Sequence, residues 1–149
     1  MSVKRTKKSH ALVALQMCAI AGCIYAPDLK YQGDSLYLLI SMTGGLLALW
    51  VLYHNRPGNF DIYPEPRKAT QLITTGPYQW VRHPMYSSLL LLMLGISLYS
   101  YQFSNALAFS VLMLVVYGKA RLEEQYLQQQ FAEYKTYQQH TKRFIPFVL

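Results

Sequence analysis

The sequence predicts an all-α, polytopic membrane protein: one bundle of about four transmembrane helices with a C-terminal cytoplasmic amphipathic helix. Three observations lead there. The 149 residues suffice for one domain, and 52% hydrophobic with 14% charged is too apolar for an ordinary soluble chain of this length. Mean hydropathy is only +0.10, because polar loops and a polar C-terminal fifth average against long uncharged stretches. The basic excess, net charge +7, flags the ends of those stretches instead of forming a basic face, which excludes nucleic acid as the partner and points to the lipid bilayer.

Residues 11–26 carry no charge and sit just under the usual length for a spanning helix, with polar Gln16 inside, which makes this the weakest of the spans. Residues 35–53 are uncharged, about 28 Å long as a helix, and end in Trp50 and Tyr53, which suit a membrane interface. From Pro84 to Gly118 no residue is charged, and one helix of that length would reach about 52 Å across a hydrocarbon core of about 30 Å. That stretch must fold back, and the polar Ser100 to Asn105 is its natural turn, giving spans over 84–100 and 105–118. The 54–83 segment holds four of the seven prolines and reads as an ordered loop. After Gly118, residues 119–140 favour helix, with Leu127, Phe131 and Tyr134 on one stripe, and are expected as a separate interfacial helix. Pro146 and the apolar Phe144, Ile145, Phe147, Val148 and Leu149 are expected to return to the bilayer or cover a site. The chain thus reads as one domain, 1–149, with a cytoplasmic tail over 119–149.

Orientation follows from Lys and Arg. Lys4, Arg5, Lys7 and Lys8 precede the first span, and with four spans every basic residue except Lys30 falls on the same side as the N-terminus. Both termini and the 54–83 loop are therefore expected in the cytoplasm, with the bacterial inner membrane as the setting. Ile20-Ala21-Gly22-Cys23 also resembles a lipoprotein cleavage box, which would remove the first span; small residues there equally suit close helix packing, and retention is the reading adopted. Cys18 and Cys23 share one apolar segment and define neither a disulfide framework nor a metal site. His10, His54 and His140 have no second ligand at metal spacing, and Gly44-Gly45 reads as a packing site, since no phosphate-loop pattern surrounds it.

Folding the last two spans as a hairpin brings Gly76–Tyr86 (GPYQWVRHPMY) against Lys119–Glu124 (KARLEE) at the cytoplasmic end, since packed helices lie about 8 to 10 Å apart. Arg82 and His83 then supply donors, Tyr78, Trp80 and Tyr86 aromatic faces, and Glu123 and Glu124 acceptors. A carboxylate can accept two ribose hydroxyls, a guanidinium can hold an amino-acid carboxylate, and an aromatic face tolerates a sulfonium; S-adenosylmethionine combines all three groups. Glu123 and Glu124 point about 100° apart on a helix, so one is expected to face ligand and the other a cation. Taken singly, each residue has an ordinary structural role as a topology anchor or solvated face; only their combination points to chemistry.

That combination resembles the isoprenylcysteine carboxyl methyltransferase family. The resemblance rests on Gly76-Pro77-Tyr78, Arg82-His83-Pro84-Met85-Tyr86, Glu123-Glu124, Phe131, Tyr134, Tyr137 and Arg143-Phe144-Ile145-Pro146, and covers about residues 54–149. Phospholipid N-methyltransferases are similar at the same motifs. The resemblance implies a helical membrane enzyme that binds S-adenosylmethionine at the cytoplasmic end of its last helices and methylates a lipid-like or prenylated small acceptor, with carboxyl O-methylation favoured. By it, Tyr78, Arg82, His83, Tyr86, Glu123 and Glu124 would bind the cofactor, with Arg82 and Glu124 catalytic. The alternatives kept beside it are a phospholipid N-methyltransferase and a non-catalytic membrane protein that binds a small ligand or quinone.

Overall fold

A computed structural model of the protein describes residues 5–25, 33–55, 61–65 and 71–146. Among them run five α-helices: α1 (Lys7–Ile24), α2 (Leu38–His54), α3 (Pro84–Ser100), α4 (Phe103–Gln130) and α5 (Tyr134–His140). Short 3-10 turns at Ser35–Tyr37 and Gly76–Gln79 lead toward α2 and α3. No strand occurs among the described residues, and the all-helical expectation holds. Ser35–His54 and Phe103–Gln130 are long and apolar enough to cross a membrane, whereas the apolar α3 is shorter. Lys4, Lys30, Arg56, Arg67, Lys68, Phe147, Val148 and Leu149, used above for topology and the tail, lie outside the described residues.

Thr6 caps α1 by accepting from the Ser9 N–H at 3.1 Å, and Glu65 Oε1 accepts from the Thr6 N–H at 3.2 Å and its hydroxyl at 3.1 Å. Arg5 pairs with Asp61 at 3.3 Å and lies over the Tyr63 ring at 3.8 Å, so residues 61–65 clasp the start of α1. At its other end, the Asn105 amide donates to the carbonyls of Cys23 at 2.7 Å and Tyr25 at 3.0 Å, satisfying part of the last turn from α4. α1 packs on α4 and α2 on α3; Ala19, Cys23, Met93, Leu112 and Val116 form the common core.

Small residues bring α2 and α3 together. A Cβ on Gly44 would lie 2.8 Å from the Ser88 carbonyl, a Cβ on Gly95 2.6 Å from the Ser41 N, and the Ser41 hydroxyl donates to the Leu92 carbonyl at 2.9 Å. Of the expected glycine pair only Gly44 serves packing, since Gly45 faces open space.

The turn between α3 and α4 is tighter than Ser100 to Asn105: Tyr101 adopts φ 49°, ψ 35°, and α4 begins at Phe103. A larger departure follows. The expected separate amphipathic helix after Gly118 does not form, because α4 runs unbroken to Gln130. Gly118 alone costs a helix only about 1 kcal/mol, and with no proline behind it and inward-facing Lys119 and Glu124 both satisfied, nothing ends the helix there. The chain turns only at Phe131, then forms the seven-residue α5.

Candidate active site

Three local structures build the site. Gly76, at φ 60°, opens the 3-10 turn; a Cβ there would lie 2.6 Å from the His54 ring, whose Nε2 also meets the Thr75 hydroxyl at 3.0 Å. His54 is thus a packing residue of the loop. Pro84 occupies the first turn of α3 and holds the preceding Val81–His83 out of the helix. That free backbone pairs with the segment after α5: the Arg82 N–H donates to the Lys142 carbonyl at 2.7 Å and the His83 N–H to the Arg143 carbonyl at 3.1 Å. The Ser87 hydroxyl adds a bond to the Phe144 carbonyl at 2.7 Å. Residues some 60 positions apart therefore form one rigid unit.

Its centre is Glu124, with a side chain only 5% exposed. Arg82 Nε donates to Oε1 at 2.9 Å, His83 Nε2 meets the same oxygen at 3.2 Å, and Arg143 spans the carboxylate through Nε at 3.1 Å and Nη2 at 2.6 Å. Arg82 Nη1 also donates to the carbonyls of Gln138 and Thr141, which fixes the end of α5. The carboxylate lies past the apolar part of α4. Burial by itself would raise its pKa, but the bonds from His83, Arg143 and Arg82 outweigh that and hold it well below the usual carboxylate range.

Glu123, about 100° around the helix, is 30% exposed and accepts from the Tyr86 hydroxyl at 2.9 Å. The Tyr137 hydroxyl donates to the Tyr78 carbonyl at 2.6 Å, and Asn55 Nδ2 reaches the Tyr78 hydroxyl at 3.3 Å. Burial first, then the charge of Glu123, raises the Tyr78 phenol, and burial pushes Tyr137 up to about 12. All six residues expected at the site thus lie in one region, Tyr78 joining through its neighbours. Tyr134 is fully enclosed, and its hydroxyl has no hydrogen-bond partner. Burial first, then the charge of Glu124, raises this phenol.

Several participants are not singled out by the sequence. Arg143 stands there only within a motif, and Thr141, Gln138 and Tyr117 not at all; no local pattern marks a backbone pairing between segments so distant. Lys119 is buried beneath the site, donating to Gln16 Oε1 and to the Ile62 carbonyl at 2.7 Å, with its ammonium 5.5 Å from the Tyr86 ring centroid. Gln16, the polar anomaly of the first apolar stretch, is its partner.

Two cavities adjoin this lattice. A polar one of about 360 Å³ is bordered by Arg82, Gln138, Gln139, Thr141, Lys142 and Arg143. An apolar one of about 830 Å³ lies among α2, α3, α4 and residues 144–146, lined by Leu47, Leu91, Leu94, Phe109, Met113 and Ile145, among others. Both are lined by Tyr117 and Phe144. The size and lining suit an amphiphile with its chain on one side and a polar ligand on the other.

Two curated relatives match at 30% identity over 86 residues: the nickel-cobalt-cadmium resistance protein NccN of Alcaligenes xylosoxydans xylosoxydans and the cobalt-zinc-cadmium resistance protein CzcN of Cupriavidus metallidurans. The match covers 57% of this chain and 40% of each relative. The phospholipid methyltransferase family matches residues 36–134, from the 3-10 turn before α2 through α4 to the first residue of α5, so by well over half its length this chain belongs to the phospholipid methyltransferase family.

Proposed function

We propose that the chain transfers a methyl group from S-adenosylmethionine to a lipid-like or prenylated acceptor, with a carboxyl oxygen as the favoured acceptor atom. The observation that carries this reading is the shared wall: a polar cavity beside the Glu124 lattice meets an apolar cavity at Tyr117 and Phe144. The chain would lie in the bilayer with four crossings, both termini cytoplasmic, in a bacterial inner membrane, as the distribution of basic residues favours.

The residues present fit the cofactor. The unpartnered Tyr134 donor and the half-buried Glu123 carboxylate suit a ribose, and the cations around the polar cavity suit an amino-acid carboxylate. Tyr78, Arg82, His83, Tyr86, Glu123 and Glu124 would hold it. When bound, S-adenosylmethionine supplies an electrophilic methyl group on a sulfonium that loses its charge as the methyl leaves. Glu124, with both oxygens occupied, would act by fixing Arg82, His83 and Arg143, so that Arg82 and Glu124 together set the alignment on which in-line transfer depends. The apolar cavity keeps water away from the acceptor head. A carboxylate acceptor is ionised near neutral pH and needs no base from the protein.

The family match favours a second reading, a phospholipid amine as acceptor, in which His83 or Glu123 would take the amine proton. The metal-resistance roles of the two relatives are not carried over, since most of each relative lies outside the match. The test is calorimetric titration of S-adenosylmethionine into detergent-purified protein, beside Arg82→Ala and the double change Glu123→Gln with Glu124→Gln. Micromolar binding lost in both variants supports the reading, and no binding by folded wild type refutes it. Transfer of labelled methyl then separates the acceptors, since a methyl ester is released by mild base and an N-methyl group is not.

A further inference from the structure

We propose that Tyr117 determines which acceptors react, because its ring is the side-chain partition between the polar and the apolar cavity. The proposal rests on the methyltransferase reading. Of the two residues that line both cavities, Phe144 belongs to the backbone-paired segment and is anchored by the bond from Ser87 to its carbonyl. Tyr117 stands on α4, outside that segment. Met113, Tyr117 and Glu124 succeed one another at steps of four and seven residues, so they share a helix face, and Tyr117 is the last ring on it before the Glu124 lattice. The Arg143 guanidinium lies 5.2 Å from its centroid and that of Arg121 lies 5.8 Å away, which orients the ring against the cations of the polar end.

Transfer requires the nucleophilic atom within about 3 to 3.5 Å of the methyl carbon, in line with the breaking C–S bond. With a polar donor on one side and an apolar chain on the other, the reacting atoms can meet only at this partition. The width of the ring then sets how far an acceptor head projects past the apolar cavity. Removing the ring joins the two spaces and admits water to the apolar one.

The experiment uses full-length protein in detergent, with two binding probes: S-adenosylmethionine by calorimetry and cis-parinaric acid, a fluorescent fatty acid, for the apolar cavity. Tyr117→Phe is expected to bind both like wild type. Tyr117→Ala is expected to lose at least tenfold in parinaric acid affinity, with S-adenosylmethionine affinity held within threefold. In labelled-methyl assays its preference between a farnesylated cysteine and a phosphatidylethanolamine should shift at least tenfold, with Tyr117→Phe restoring the wild-type ratio. An alanine variant with both affinities and the acceptor ratio unchanged overturns the proposal. So does a parallel loss of S-adenosylmethionine affinity, which would make Tyr117 a mere support for Arg143. Wild type that binds S-adenosylmethionine but not parinaric acid overturns this inference alone; folded wild type that binds no S-adenosylmethionine removes the methyltransferase reading and this inference with it.

Discussion

Helix α4 buries two charges five residues apart, and it settles them in opposite ways. Glu124 is surrounded by Arg82, His83 and Arg143, so its charge is met by two guanidinium groups from two other segments, with the His83 ring beside them. Lys119 is met by a neutral amide, Gln16 of α1, and a neutral carbonyl, Ile62 of the loop. A charge neutralised by charges locks every partner to it, because deleting the centre leaves like charges facing one another in a dry place. A charge solvated by dipoles leaves only unsatisfied dipoles behind when it is deleted, a smaller penalty. The first arrangement suits a site that must hold its geometry, the second a joint between helices.

The largest expected effect tests the first half of that contrast. Glu124→Ala should cost about 3 to 5 kcal/mol, measured by reversible denaturant unfolding in detergent, and abolish cofactor binding. A loss below about 1 kcal/mol would mean that Arg82, His83 and Arg143 are stable without their centre.

Acid should reach the same lattice more gently. Glu124 has a folded pKa held below its unfolded value of about 4.3, so its contribution to stability is complete above that pH. It should decline as pH falls below about 4.3 toward the depressed folded value. An unfolding series should therefore show wild type losing stability below pH 4 relative to Glu124→Gln, whose curve lacks this component. Parallel curves would contradict the ion-paired assignment.

Lys119→Met should cost less, about 1 to 2 kcal/mol, and the double change with Gln16→Leu should recover part of it, since the Gln16 amide is then no longer stranded while the Ile62 carbonyl still lacks its donor. If Lys119→Met proves as damaging as Glu124→Ala, the distinction between the two burial modes fails.

The smallest stability effect is expected at Tyr134, whose hydroxyl bonds no group among the described residues. Tyr134→Phe should change stability by less than about 1 kcal/mol while weakening S-adenosylmethionine binding about tenfold, the cost of one lost hydrogen bond. Unchanged affinity would show that the ligand does not use this donor.

Much of the site is legible in the amino-acid sequence. The uncharged run from Pro84 to Gly118 is too long for one crossing, so it has to double back, and doubling back makes Arg82 and Glu124 neighbours. The start of α3 is legible because Pro84 supplies a local signal. The continuation of α4 through Gly118 is not, since a lone glycine is ambiguous and packing of Lys119 and Glu124 decides. Arg143 escapes because its role depends on a backbone pairing between Val81–His83 and residues 142–143 that has no periodicity to read. Gln16 reads as a flaw in an apolar stretch, and only its partner across the bundle gives it a purpose.

The amino-acid order by itself determined the all-helical class of the protein, the sites of its first three helices and the types of side chain gathered at one end. Those follow from hydropathy, length and proline, which act on neighbours along the chain. Tertiary structure alone decided which glutamate is locked among cations and which keeps a free face. It also decided that Lys119 lies inside, and that a polar and an apolar cavity meet at Tyr117. The physical reason is that these outcomes depend on helix rotation and on contacts between residues tens to a hundred positions apart, where a turn of about 100° separates Glu123 from Glu124.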